Sequence, residues 1–407
     1  MNMVEVGNRS GTGGSFVKTS FEHEPSSLPV RIMGPFRYFI RLSGFDCSRA
    51  SKEHIKSFCG ILSIIIAIPI CLILLLRAMI LMGVTATVLE ASWAESNVYG
   101  FISLQMFNAA VCVVCWTRDN FVPEFEERLG KLKKLRLTND PKIDNYTRYH
   151  LKAIFLIIPI FGVILATSIT AAVQNRYAKD DNSTFHSTNP IFMVAPVIDL
   201  FGCLSTSLSL VLFVTINVSL VRELELFNKE LSNSAKFQQL ILPNVMNCYS
   251  KRHSEIIQLV KFANKNLNMY SAIIPLFTIV SSANAVYILM NFFGRMQLLY
   301  FILMVGWAII SFGITIGCFA SCANVQDKIK ETAEILMHDE VLQSLGNDQM
   351  HNTYRVLLDR CLYSNSKCSL IFAFSINSQF FYRVLVITPN IATLMTFYRK
   401  TLVLGGH

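Results

Sequence analysis

A chain of 407 residues that is 52% hydrophobic and 15% charged, with a mean hydropathy of +0.44, falls well below the roughly 25% charge of a soluble domain and reads as an integral membrane protein. That length holds about seven spans with their connections and excludes a further large soluble domain. A net charge of +9 would suggest nucleic acid in a soluble chain, whereas here it reports basic loops on the cytoplasmic side, so the lipid bilayer and not nucleic acid is the expected partner.

Residues 1–57 form a cytoplasmic arm and juxtamembrane segment. The run GNRSGTGGSFVKTS is poor in apolar residues and rich in Gly and Ser, which predicts disorder, and it lacks the apolar core of a cleaved signal peptide. PFRYFIRLSGFDCS, from Pro35, mixes aromatics with Arg37 and Arg41, as a stretch lying against headgroups or an ordinary connector would. Residues 58–398 form the seven-helix membrane domain, and 399–407 a short extracellular tail. Hydropathy places spans near Phe58 to Val88, Val98 to Trp116, Leu151 to Val173, Pro190 to Leu220, Tyr270 to Phe293, Leu298 to Cys322 and Ser369 to Tyr398. The predicted fold is all-α.

Lys and Arg number eight in residues 1–57, eight in 117–150, seven in 221–269 and five in 323–368, against none, two, one and two in the intervening segments and tail. Positive charge marks the cytoplasm, so the amino terminus is expected inside and the carboxyl terminus outside. The inner connections, 117–150, 221–269 and 323–368, are long and contain helical patterns. Val221 to Ser232 extends the fourth span, Cys248 to Leu267 leads into the fifth, Val325 to Leu345 extends the sixth, and His351 to Leu362 forms a short helix. Their apolar faces need partners, either one another as a projecting bundle or the membrane surface.

None of the eleven cysteines falls in an expected outer loop, so no outer disulfide is expected; Cys112 and Cys115, in CxxC spacing, sit inside an apolar span as packing residues. No nucleophile elbow, phosphate loop or metal-ligand cluster is present, so no catalytic residue, cofactor or metal is expected. Asn182-Ser183-Thr184 is a glycosylation sequon in the longest outer loop, while the sequons at Asn8 and Asn145 fall on the cytosolic side. Three charges lie within spans: Arg77, Asp199 and Arg383. Arg77 and Asp199 sit at matching depth, which predicts an ion pair, with a ligand contact by Asp199 the alternative.

The last apolar stretch is also the most polar inside. Gln379, Arg383, Val386, Asn390, Thr393 and Phe397 recur at steps of four and three, so they share one stripe of a helix. The stripe cannot face lipid: it lines water or a seam inside one subunit. Four copies around an axis would set Gln379, Val386, Asn390, Thr393 and Phe397 as rings along a pore, with Arg383 expected to turn from the axis toward a neighbouring helix or the pore to open only above it.

Seven spans with the amino terminus inside, the entry PFRYFIRLSGFDCS, short outer loops, projecting inner helices and a polar last helix resemble the insect gustatory receptors and, more closely, their nematode chemoreceptor relatives, which include a light sensor. The family ends its last helix with Thr-Tyr, five apolar residues and Gln-Phe; here TPNIATLMTFY stands in that place, without the Tyr or the Gln. The resemblance implies a taste-type receptor in the plasma membrane of sensory neurons. It would be a homotetramer, or a heteromer with related receptors, forming a ligand-gated non-selective cation channel whose last helix lines the pore. A pocket for a small molecule would lie in the outer half of each subunit. A seven-helix receptor signalling through a G protein is the alternative, although the charge distribution and the missing Asp-Arg-Tyr at the third-span exit oppose it. A secondary transporter would require paired broken helices in corresponding halves, which the sequence lacks.

Overall fold

The computed structural model describes residues 32–43, 45–48, 58–83, 87, 89–137, 145–173, 190–339, 342, 348–363, 369–370 and 374–405. The arm to residue 31, the sequons at Asn8 and Asn182 and the segment 174–189, expected as an outer loop, lie outside them. Among the described residues ten α-helices follow in order: α1 (Phe36–Leu42), α2 (Phe58–Met82), α3 (Ala91–Arg118), α4 (Phe121–Lys133), α5 (Thr147–Val173), α6 (Pro190–Lys236), α7 (Pro243–Phe292), α8 (Leu298–Met337), α9 (Asp348–Tyr363) and α10 (Ser378–Gly405). Seven of them, α2, α3, α5, α6, α7, α8 and α10, are long and apolar enough to cross a membrane.

In a layer without water every backbone polar group must be satisfied within the helix, which keeps these segments helical even around Pro69, Pro159, Pro196, Pro275 and Pro389. α3 is the central post, packed on α2, α6 and α7, and α8 packs on α6 and α7. Two-thirds of the apolar windows of α3 and α6 are buried, whereas α5 buries 12% and α10 22%, which places the latter two at the periphery. Exposed Ile65, Leu72, Met79 and Phe155 form apolar faces suited to contact with lipid. At Gly202 a side chain would strike Met106, its Cβ falling 2.3 Å from the Met106 sulfur. The missing side chain lets α6 close on α3, and Ser205 Oγ, which also bonds Gly202 O, reaches Met106 O at 3.2 Å.

α6, α7 and α8 are 47, 50 and 40 residues long, or about 70, 75 and 60 Å at 1.5 Å per residue, roughly twice a bilayer's apolar thickness. The surplus lies at the end carrying the long connections and, with α4 and α9, builds a second storey. Left-handed Asn120 (φ 50°) and Gln238 (φ 54°) turn the chain at the ends of α3 and α6. Polar clamps hold the storey together. Arg136, just beyond α4, pairs with Glu223 of α6, its Nε 3.2 Å from Oε2, and Arg252 of α7 pairs with Glu230 of α6. Asn228 donates to Lys328 O at 2.9 Å and accepts from Thr332 Oγ1 at 2.6 Å, tying α6 to α8. On α9, Arg360 donates to Ser250 O of α7 at 3.0 Å. Cys361 Sγ lies 3.4 Å from His253 Nε2, and burial pushes its thiol up to about 12.

Several elements differ from the sequence expectation, among them α2, which ends at Met82 and not Val88, and α10, which runs past Tyr398 to Gly405. The segment expected as an outer loop, Glu90 to Asn97, is helical from Ala91: Glu90 is extended (φ −91°, ψ 142°) and gathers the Thr87 and Ser92 hydroxyls at 2.9 and 3.2 Å, and the helix begins after it. α4 was not foreseen, although Glu124 with Arg128 and Glu127 with Lys131 form i,i+4 pairs on it. α8 stops at Met337, short of Leu345. The last helix starts at Ser378 instead of Ser369, because Asn377 caps it: Oδ1 accepts from Phe380 N at 2.8 Å and its carbonyl from Phe381 N at 2.9 Å. Ahead of that cap Ser369–Leu370 pairs antiparallel with Phe374–Ser375, strands of two residues each.

Glu223→Gln is expected to strand Arg136, of which 2% of the side chain is exposed, and to lower stability by about 3–5 kcal/mol. Thermal unfolding in detergent, followed by size-exclusion fluorescence, would show the loss. The apolar double variant Arg136→Leu/Glu223→Leu is expected to recover most of it.

Candidate functional site

The half of the bundle away from the second storey holds a buried polar cluster around a small cavity. Arg77 of α2 and Asp199 of α6 form an ion pair whose side chains are 6% and 3% exposed, so the two spans hold each other's charge at membrane depth. Asp199 lies one turn before Gly202, where the close approach of α6 and α3 sets it against the cavity wall. The remaining lining comes from Val98, Tyr99 and Ile102 of α3, Ile164 of α5, and Met304 and Trp307 of α8. One further ring fixes the wall: Tyr300 Oη donates to Glu95 Oε1 at 3.2 Å. Trp307 is held by its indole N–H on Ser281 Oγ at 2.8 Å. As it stands the cavity has room for about one water.

The walls of this cavity are aromatic rings, a thioether and a few convergent polar groups, and any guest larger than a water would have to part them. Glu95 is fully buried and escaped the sequence reading, because its charge ended the hydropathy window and left it in a loop. Its i,i+4 spacing to Tyr99 on a helix was the available signal. The three tryptophans are engaged in packing: Trp116 donates to Asn266 O at 2.9 Å and Trp93 stands edge-on to Tyr287 at 6.3 Å between ring centroids. Among the described residues no His, Cys, Asp or Glu cluster could hold a metal.

The second feature is α10. It packs on α7 and α8 through Val384, Thr388, Ala392 and Thr396, all buried, with Asn291 Nδ2 donating to Thr396 Oγ1 at 2.9 Å. Gln379, Arg383, Val386, Asn390, Thr393 and Phe397 are exposed on the opposite side. The stripe is therefore not a seam within the subunit, because Val384, Thr388, Ala392 and Thr396 occupy that role. Asn390 and Thr393 return hydrogen bonds to Val386 O and Pro389 O at 2.9 and 3.2 Å. At the other end Arg399 reaches Asn291 O and Leu89 O, both at 3.4 Å, and covers the Phe292 ring. At its root Ser378 donates to Asp327 of α8.

Asp199→Asn is expected to leave Arg77 buried without its counter-charge, at about 3–5 kcal/mol, and to cut surface expression sharply. The paired variant Arg77→Leu/Asp199→Leu is expected to restore it, as read by surface biotinylation.

A family model described as Caenorhabditis protein of unknown function, DUF267, matches residues 32–392. No curated protein matches the sequence. Among solved structures the fold is similar to the insect olfactory receptor OR5 from Machilis hrabei, at 14% identity and a TM-score of 0.63, covering 88% of this chain and 97% of that one. The same receptor in complex with eugenol matches at 11% identity and a TM-score of 0.62, covering 88% and 98%.

Proposed function

We propose a function for a chain that belongs to the Caenorhabditis DUF267 family: it is a chemosensory receptor that binds a small molecule in its outer-half cavity and opens an ion pore lined by α10. The observation that carries this reading is the orientation of the α10 stripe. Gln379, Arg383, Asn390 and Thr393 point away from the subunit that α10 packs on, and a face holding a full charge and three further polar side chains is costly against lipid. Water, or copies of the same face around an axis, satisfies it.

A tetramer, of identical chains or with related receptors, supplies such an axis. Phe397 and Val386 then form apolar rings that close the path by excluding water, and Asn390 and Thr393 offer polar contacts between them. The second storey joins the copies on the cytoplasmic side, with the amino terminus inside and the carboxyl terminus outside, as the basic connections favour. The resemblance to the gustatory receptors implies a taste-type role in the plasma membrane of sensory neurons and a pore passing cations without selecting among them. The fold shared with an insect olfactory receptor that has a structure with eugenol supports a small, apolar, hydroxyl-bearing stimulus for the Tyr99, Tyr300 and Trp307 cavity.

Single cysteines at Asn390, Thr393 and Phe397 test the pore. With a charged thiol reagent applied from outside, resting or eugenol-evoked current is expected to be blocked at these positions and spared at Thr388 and Ala392, which pack inward. Equal insensitivity at all five, with surface labelling intact, would sink the reading.

A further inference from the structure

The outward stripe of α10 carries one full charge, and its sign is positive. Arg383 is exposed on the side of α10 that also presents Val386, Asn390 and Phe397, and no acidic side chain among the described residues pairs with it. From Ser378 to Gly405 the helix holds no Asp or Glu. Its other cations lie at the far end: Arg399 is turned onto α7 by its bonds to Asn291 O and Leu89 O, and Lys400 is exposed beside it. At the root of the helix Asp327 of α8 accepts the hydroxyl of Ser378. Asn377 leaves the positive end of the α10 dipole at this mouth as well.

We propose that Arg383 sets the charge selectivity of this pore and makes it favour small anions such as chloride over sodium and potassium, departing from the cation conduction that the family resemblance implies. The inference rests on the reading of α10 as the pore helix. Four guanidinium groups at one level, with no carboxylate on the same helix to offset them, raise the potential along the axis, attracting anions into the mouth and repelling cations. Rings of Arg or Lys are the ordinary means of making a pore anion-selective. The residues above Arg383 on the stripe, Val386, Asn390, Thr393 and Phe397, are neutral and do not reverse that sign; the Asn390 side-chain amide, whose Nδ2 bonds Val386 O, still has a second N–H to offer an anion.

The test is the direction in which the reversal potential moves when external sodium chloride is diluted about tenfold at constant osmolarity, with resting and eugenol-evoked currents recorded in cells expressing the full chain. Phe397→Ala, which widens the outer apolar ring, is recorded alongside to raise resting current. A shift to positive potentials is expected, with a chloride-to-sodium permeability ratio of about 5 or more that falls to about 1 in Arg383→Gln and below 1 in Arg383→Glu. A shift to negative potentials, or a ratio unchanged by Arg383→Gln and Arg383→Glu, overturns the role given to Arg383 and leaves the channel reading standing; Arg383 then lies against lipid headgroups or a neighbouring helix. Absence of current from both the native chain and Phe397→Ala, with each labelled at the surface, overturns the channel reading itself and this inference with it.

Discussion

A hydrocarbon layer about 30 Å thick accommodates about twenty helical residues, and α6, α7 and α8 run to 47, 50 and 40. Their surplus leaves the membrane as continuous helix, carrying apolar faces that would otherwise be stranded in water. Burial of Phe227, Tyr249, Ile256 and Leu336 answers that need, and the clamps at Glu223, Glu230 and Asn228 fix the register in which they meet. Buried ion pairs add little net stability, but an unpaired partner is costly, so such pairs penalise misaligned packing more than they reward the right one. The second storey therefore follows from helix length first and from its charges second.

The same arithmetic separates the two ends of the molecule. In the half of the bundle away from the second storey, buried polar side chains meet partners on neighbouring helices: Arg77 with Asp199, Glu95 with Tyr300, Trp307 with Ser281. α10 is the exception. Gln379, Arg383, Asn390 and Thr393 lie on the side turned from α7 and α8, which is why a single copy of this fold looks incomplete along one face.

Much of this was legible in the sequence. Seven spans stand out in hydropathy, the extension of the fourth and fifth spans follows from unbroken helical periodicity through Val221 to Ser232 and Cys248 to Leu267, and the matched depths of Arg77 and Asp199 point to the pair that forms. What escaped was local. Hydropathy averages over a window, so Glu95 pulled the start of α3 into a loop, and the apolar run from Ser369 concealed the hairpin that Asn377 ends by capping α10. α4 escaped for the opposite reason: FVPEFEERLGKLK buries only Phe121, Phe125, Leu129 and Leu132, too narrow a stripe to register beside apolar spans. Which side of α10 packs inward was beyond the sequence, since Thr388 and Thr396 are as polar as Thr393 and only the positions of α7 and α8 tell them apart.

Of the three over-long helices, α6 and α7 contain Pro196 and Pro275, while α8 has no proline from Leu298 to Met337. It places Trp307 at the cavity and, twenty residues later, Asp327 at the hydroxyl of Ser378, where α10 begins. Those twenty residues span about 30 Å, so each degree of tilt about the Trp307 end carries Asp327 through about 0.5 Å. α8 thus joins the cavity wall to the foot of α10 as one unbroken rod, so that a small change in its tilt is felt several times larger at Asp327 than beside Trp307.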